Sequence, residues 1–193
     1  LYHHEVAPPG QGEIDMRFDT LTKMGDKSLL YKYIVKNVAK RHGKVATFMP
    51  KPVQGVNGSG MHTHQSLFTG DRNAFFGEGD EYHLSTLGKH YIAGVLSAAR
   101  EITLVTNQWV NSYKRLVPGY EAPVYVCWAR NNRTALVRVP IAKKGKESST
   151  RIEFRSPDPA CNPYLAFSVM LAAGLKGVDE GYELPPEATN NIF

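Results

Sequence analysis

The sequence predicts an α+β fold: a curved antiparallel sheet that presents polar residues on its concave face, with helices packed behind. Three observations lead there. Residues 150–159 (T-R-I-E-F-R-S-P-D-P), read as a strand, alternate charged and apolar side chains with period two. Arg151, Glu153 and Arg155 then share one face, and Ile152 and Phe154 the other. The other stretches rich in histidine, glutamate, asparagine and arginine also read as strands or loops. Three segments, by contrast, carry plain apolar stripes at helical spacing, which places them outside the site-bearing layer.

Bulk properties bound the function. A chain of 193 residues has room for one domain with a proper core, and 42% hydrophobic with 21% charged residues is a globular composition. The net charge of +5 comes with arginines concentrated in the second half, but aromatics do not interleave with them as a stacking platform on nucleic acid would require. A dispersed arginine set suits a small anionic substrate such as a nucleotide. Cys127 and Cys161 form neither a CxxC nor a zinc spacing and read as reduced thiols. With no membrane-length apolar run and no visible secretory leader, the expectation is a cytoplasmic protein with neither nucleic-acid nor membrane partner. Residues 1–6 read as the middle of a strand and residues 189–193 stop without a helix end, so a piece of something longer is expected.

In chain order, residues 1–7 and 13–18 form a hairpin around a Pro-Pro-Gly turn. It brings Glu5 and Glu13 near each other at its turn end. Two close carboxylates need a proton or a cation between them; the alternative is a pair of exposed surface acids. Asp26 is placed to cap a helix to about Arg41, closed by Gly43, with Leu29, Leu30, Tyr33, Ile34 and Val38 as its apolar stripe and Lys32, Lys36 and Lys40 solvated opposite. Residues 44–49 read as a buried strand ended by Pro50 and Pro52. In the glycine-rich residues 55–67, His62 and His64 stand two apart and share a face if extended. They form either a metal pair or paired surface histidines, and the company of Glu5, Glu13 and Glu153 favours magnesium or manganese over zinc.

Residues 82–107 read as one long helix buried through Ile92, Val95, Leu96, Ala99 and Ile102. Residues 111–123 follow as a loop with charge, aromatics, proline and glycine, suited to a lid. Residues 123–129 and 134–140 read as strands, with Arg133 just before the second and Arg138 on it. A polar loop with Lys143, Lys144 and Lys146 leads to the organising stretch. Asn162 then caps, and Pro163 opens, a final helix carrying Leu165, Ala166, Val169, Met170, Ala172 and Ala173.

Six motifs in order make the chain similar to the glutamine synthetases of the bacterial and archaeal type I class. They are H-H-E-V-A with G-Q-x-E-I, F-M-P-K-P, N-G-S-G-M-H-x-H-x-S-L, N-S-Y-K-R-L-V-P-G-Y-E-A-P, R-x-x-x-x-R-x-P, and R-I-E-x-R-x-P-D-P-x-x-N-P-Y-L. The resemblance covers nearly all of the chain. It implies the carboxy-terminal catalytic domain, residues 1–193, of the glutamine synthetase and guanidino kinase type, with the amino-terminal small domain and the strand bearing further metal-binding glutamates absent.

The implied reaction is ATP-dependent ligation of ammonia to L-glutamate through γ-glutamyl phosphate, with two or more Mg²⁺ or Mn²⁺ ions. By motif, Glu5 and Glu13 resemble ligands of one cation, and His62 and Glu153 ligands of the other. Asn57, Gly58, Arg115 and Arg155 resemble glutamate-binding positions, and Phe18, His64 and Ser66 nucleotide contacts. Arg133, Arg138 and Arg151 resemble the arginines around the transferring phosphate, and Glu121 the glutamate of a closing flap. Implied partners are glutamate, ammonium, ATP and further copies of the chain, in a dodecamer of two hexameric rings with active sites between subunits; a 193-residue piece alone is expected to be inactive.

Two positions depart from the pattern. Ser148 stands where the family often has a lysine, with Lys146 nearby, and Phe193, which has no phenolic oxygen, falls where some members carry an adenylylated tyrosine. Competing readings are a γ-glutamyl ligase for another amine, a structural relative without activity, and a zinc hydrolase on His62 and His64; no third histidine at a fixed spacing supports the last.

Overall fold

The computed structural model describes residues 10–130, 132–141 and 145–189, together with the backbone of residues 2–5. The Glu5 side chain, the Pro8-Pro9 turn, Lys143, Lys144 and residues 191–193 lie outside the described residues.

The central sheet joins four short strands, β3 (Thr63–Gln65), β8 (Ile152–Phe154), β7 (Val137–Arg138) and β6 (Trp128–Ala129), in the spatial order β3-β8-β7-β6. The expected antiparallel pairing holds for β3–β8 and β8–β7, whereas β7 and β6 run parallel. The chain also forms two separate hairpins. In one, β1 (Tyr2–Glu5) pairs with β2 (Gly12–Asp15), Glu5 opposite Gly12 and Glu13 opposite His4; in the other, β4 (Phe68–Thr69) pairs with β5 (Arg72–Asn73).

The helices are α1 (Leu21–Arg41), α2 (Thr86–Ser97), α3 (Ala99–Thr106), α4 (Val110–Arg115) and α5 (Pro163–Asp179), with one 3-10 turn over Glu147–Ser149. α5 starts as its sequence prescribes: Pro163 opens it, and Asn162 Oδ1 accepts from the amides of Tyr164 and Leu165. α2 is capped by Ser85, whose Oγ accepts from Gly88 N at 3.0 Å.

α2 and α5 press together through glycines. A Cβ on Gly94 would lie 2.3 Å from Ala173 O, and one on Gly177 would lie 2.3 Å from His90 O. Trp128, Tyr91, Phe75, Phe154, Ile92, Ile152 and Met170 are fully buried between these helices and the sheet. Each contributes about 1.5–3 kcal/mol by leaving water.

The far edge of the sheet is closed by the carboxy-terminal stretch. Trp128 Nε1 donates to Pro185 O at 2.7 Å, Ala188 N donates to Trp128 O at 3.0 Å, and Arg130 pairs with Glu187 at 3.2 Å.

Several expectations are corrected. α1 begins at Leu21, not at Asp26, which instead accepts from the Tyr164 hydroxyl. The anticipated stripe of α1 is exposed, from 43% at Leu29 to 67% at Tyr33, while Gly25 and Ser28 are buried. The reason is steric. α1 lies against α5 at Gly25, where a Cβ would stand 2.7 Å from the Tyr164 ring, so the small-residue side faces inward. Lys32, expected in solvent, is half-buried and donates to Cys161 O at 3.3 Å. Residues 44–49 pair with no strand and are largely exposed. The long helix over 82–107 is instead α2 and α3, which abut at Ala98. The two strands expected over 123–129 and 134–140 shrink to the two residues each of β6 and β7, and the start of the lid is the helical α4.

Candidate functional site

The site grows from the alternation of β8. Ile152 and Phe154 enter the core, so Glu153 must emerge on the opposite sheet face, beneath other polar groups that leave it only 3% exposed. Its neighbours there are set by register: β7 places Arg138 directly opposite Glu153 on one side, and β3 places His64 opposite on the other.

Three cationic or basic groups converge on the Glu153 carboxylate. Arg155 Nη1 donates to Oε1 at 2.6 Å, His62 Nδ1 stands 3.4 Å from Oε1, and Arg138 Nε lies 2.5 Å from Oε2. The Arg138 contact is an ion pair without hydrogen-bonding direction, so Arg138 Nε and Glu153 Oε2 satisfy each other by charge alone; Arg155 Nε is also buried without a hydrogen bond among the described residues. Burial foremost, reinforced by Arg155, Arg115, His64 and Arg138, holds His62 well below the usual imidazole range. The ring is therefore neutral at pH 7, the form that can donate a lone pair. Burial likewise lowers Arg155, opposed by Glu153 and by Glu121 across the site.

Arg115, at the end of α4, is 3% exposed and runs beneath this cluster. Its Nη1 donates to Ser156 O at 2.7 Å and its Nη2 to Arg155 O at 3.0 Å, tying the strand exit in place. Burial pulls its guanidinium down to about 10, against the opposing charge of Asp158. Above it, Gly58 and Gly60 leave no room for a side chain: a Cβ on Gly58 would meet Pro50 O at 2.5 Å, and one on Gly60 would meet Arg115 Nη2 at 2.5 Å. The β1–β2 hairpin docks on the same loop through Gln11 Nε2, which donates to Gly58 O at 3.0 Å and to Ser59 Oγ at 3.2 Å.

The predicted residues thus divide. Glu153, His62, Arg138, Arg155 and Arg115 come together, with Asn57 and Gly58 half-buried on the overlying loop. Arg151 turns to the rim, where its Nε donates to His64 Nδ1 at 3.2 Å. Ser66, Arg133 and Glu121 are exposed, and Phe18 is 83% exposed between β2 and α1. Of the four expected cation ligands, only His62 and Glu153 are shown as neighbours. Among the described residues no three of His, Cys, Asp and Glu gather into a cage, so half-buried Glu13 on β2 is not assembled with that pair.

Sequence reasoning passed over two buried residues. Asn73 Nδ2 donates to Ser148 O at 3.1 Å and to Thr150 O at 2.7 Å, fixing the approach to Arg151. Lys51, inside the F-M-P-K-P motif but assigned no role from it, contacts both the Asn57 loop and Tyr120. No periodicity marks either one. A cavity of about 550 Å³ lies elsewhere, lined by Arg72, Phe76, Asp80, Ser85 and Lys89; Asp80 and Lys89 already pair with each other there.

Residues 1–193 match the family described as glutamine synthetase, catalytic domain. The chain is 56% identical over 191 residues to a glutamine synthetase of Mycobacterium tuberculosis, covering 99% of this chain and 43% of the relative. It is 55% identical over 192 residues to one from Methanocaldococcus jannaschii, covering 99% and 41%. Among solved structures, a cryo-EM glutamine synthetase of Plasmodium falciparum superposes with a TM-score of 0.94 at 30% identity, covering 99% of this chain and 37% of that one. The chain therefore spans less than half the length of these relatives.

Proposed function

The chain belongs to the glutamine synthetase family, and from that premise we propose that it is the catalytic part of a glutamate–ammonia ligase. The reaction would join ammonia to the γ-carboxyl of L-glutamate at the expense of ATP, through γ-glutamyl phosphate. The observation that carries this reading is the convergence of His62, Arg138 and Arg155 on the single buried carboxylate of Glu153. Two arginines on one buried carboxylate leave a cationic excess that suits an anion, and Arg155 Nε has no hydrogen bond among the described residues.

The chemistry asks for positioning and charge neutralisation more than covalent help. Arg138 and Arg155, both held on Glu153, would hold the oxygens of the transferring phosphoryl group and of the substrate glutamate, with Arg133 and Arg151 at the rim. Asn57 and Gly58 would receive the glutamate on a loop that lets backbone approach closely, and Arg115 would keep the strand exit beneath it from shifting. Phe18, His64 and Ser66 would border the nucleotide. Glu121, exposed on its loop yet close enough to influence Arg155, would close over the acyl phosphate and accept the proton released by the incoming nitrogen.

The residues fit a divalent cation. His62 Nδ1 and Glu153 Oε1 are 3.4 Å apart, within a few tenths of an ångström of the ~3.0 Å that two adjacent ligands span on an octahedral ion at bonds of about 2.1 Å. Mg²⁺ or Mn²⁺ there, and a second ion held by Glu5 and Glu13, would offset phosphate charge.

Assembly into a dodecamer of two hexameric rings, a cytoplasmic setting, and a preceding small domain complete the reading. Among the described residues no helix is long and apolar enough to cross a membrane.

The test is an assay of ADP release and glutamine formation by the full-length protein with glutamate, ammonium, ATP and Mg²⁺, then with bulkier amines in place of ammonium. Equal amounts of ADP and glutamine with ammonium are expected. Turnover only with another amine would reassign the acceptor, and turnover with neither would reject the ligase. Residues 1–193 alone should form no glutamine.

A further inference from the structure

Lys51 is 9% exposed, and among the described residues no carboxylate pairs with it. Its peptide is held from both sides by one side chain: Lys51 N donates to Asn111 Oδ1 at 2.7 Å, and Lys51 O accepts from Asn111 Nδ2 at 3.0 Å. The ammonium itself has two partners. Nζ donates to Val56 O, the carbonyl just before Asn57, and sits 3.7 Å from the centroid of the Tyr120 ring, just before Glu121. The neighbouring Pro50 O accepts from Ser59 N at 2.8 Å, so the Pro50-Lys51 pair underlies the whole 56–59 loop.

A buried ammonium is costly unless something replaces its water, and here a carbonyl and an aromatic face do so. Two loops more than sixty residues apart in sequence, each bearing a proposed site residue, therefore meet on one charge. Lifting Tyr120 away would leave that charge half-solvated beneath the Asn57 loop, and loosening the loop would remove the carbonyl that aims the charge at the ring.

We propose that Lys51 is a positioning residue that latches the Tyr120-Glu121 segment to the Asn57-Gly58 loop, so that closing the segment and ordering the loop are one event. What the latch protects rests on the ligase reading. Under a loose segment, water would attack the acyl carbon of γ-glutamyl phosphate in place of ammonia, releasing phosphate and returning glutamate, so ATP would be spent without product.

The experiment uses the full-length protein with Lys51→Met, Tyr120→Leu, Tyr120→Phe and the Lys51→Met/Tyr120→Leu double variant. Amide hydrogen exchange is read in residues 56–59 and 116–123. Lys51→Met and Tyr120→Leu should each speed exchange in both segments by roughly tenfold. The double variant should add little, and Tyr120→Phe, which keeps the ring, should exchange like the wild type. In turnover, the two loosening variants should raise KM for glutamate and release more than one ADP per glutamine.

Unchanged exchange at residues 56–59 in Tyr120→Leu overturns the latch, as does additivity in the double variant. Tyr120→Leu decides the matter even where Lys51→Met does not fold, because it must act across to the other loop. If exchange couples the two loops while the wild type makes no glutamine, the latch stands and the ligase reading is what fails.

Discussion

The two faces of β8 are one residue apart and obey opposite rules. Ile152 and Phe154 are 0% exposed in a core whose demands are met entirely by packing. Glu153 is nearly as buried, at 3%, yet its face holds Glu153 Oε2, Arg138 Nε and Arg155 Nε without hydrogen bonds. Burial alone does not distinguish the faces; completeness does. The apolar side is satisfied by packing, whereas the polar side gathers two arginines on one carboxylate and leaves Arg155 Nε without a hydrogen bond among the described residues. The proposed site rests on that contrast and not on cavity volume, since the 550 Å³ cavity lies by Asp80 and Lys89, away from these atoms.

Four experiments sharpen or break the contrast. Phe154→Ala should be the most damaging to stability, costing about 3–5 kcal/mol in a urea melt, with the folded fraction still binding ATP. A loss under 1 kcal/mol would mean that the core face is not what holds β8. Glu153→Gln in the full-length protein should lower glutamine formation by about 10²–10³-fold. It should also remove any rise in Tm on adding Mg²⁺; near-normal turnover would make the polar face merely structural. Gly177→Ala should cost about 1–3 kcal/mol by driving α5 off His90 O, and a neutral outcome would show that the two helices are free to slide apart.

The smallest effect concerns pH on the apolar side. Burial pushes the Cys161 thiol up to about 12 from an ordinary 9.0. Above pH 9 the unfolded thiol ionises while the folded one stays protonated, so the unfolded state binds fewer protons and stability falls as pH rises. The contribution is intact below pH 9 and erodes towards pH 12, by less than about 1 kcal/mol at pH 9.5. Cys161→Ala should flatten that part of the stability profile; an unchanged slope would show that the thiol reaches water.

Much of this was legible in the chain. The period-two alternation of residues 150–155 correctly separated the apolar core face from the charged face, and Asn162-Pro163 marked the start of α5, because both signals are local. What failed was set by distant partners. α1 was turned inside out, since an apolar stripe cannot announce that a tyrosine on α5 will demand a glycine opposite. Residues 44–49 have strand-like composition but pair with no strand among the described residues. Arg115 read as part of a mobile lid, whereas its guanidinium is fastened to two carbonyls forty residues on. The candidate site residues were read from ordered motifs. Lys51 lies inside one of them, F-M-P-K-P, but the motif does not say that its ammonium meets Tyr120, and Asn73 lies in none.

The carboxy-terminal stretch over Pro185 to Ala188 has a practical consequence for anyone cutting this chain. By taking up Trp128 Nε1 and Trp128 O, it occupies the rim of β6 where another polypeptide could otherwise add as a strand. A protein shortened to residue 181 would lose those partners, and the Arg130–Glu187 pair with them, leaving an indole N–H buried and unanswered beside a vacant strand edge. Such a shortened form should aggregate more readily than one that keeps residues 182–189, and boundary choices for expression should respect that eight-residue margin.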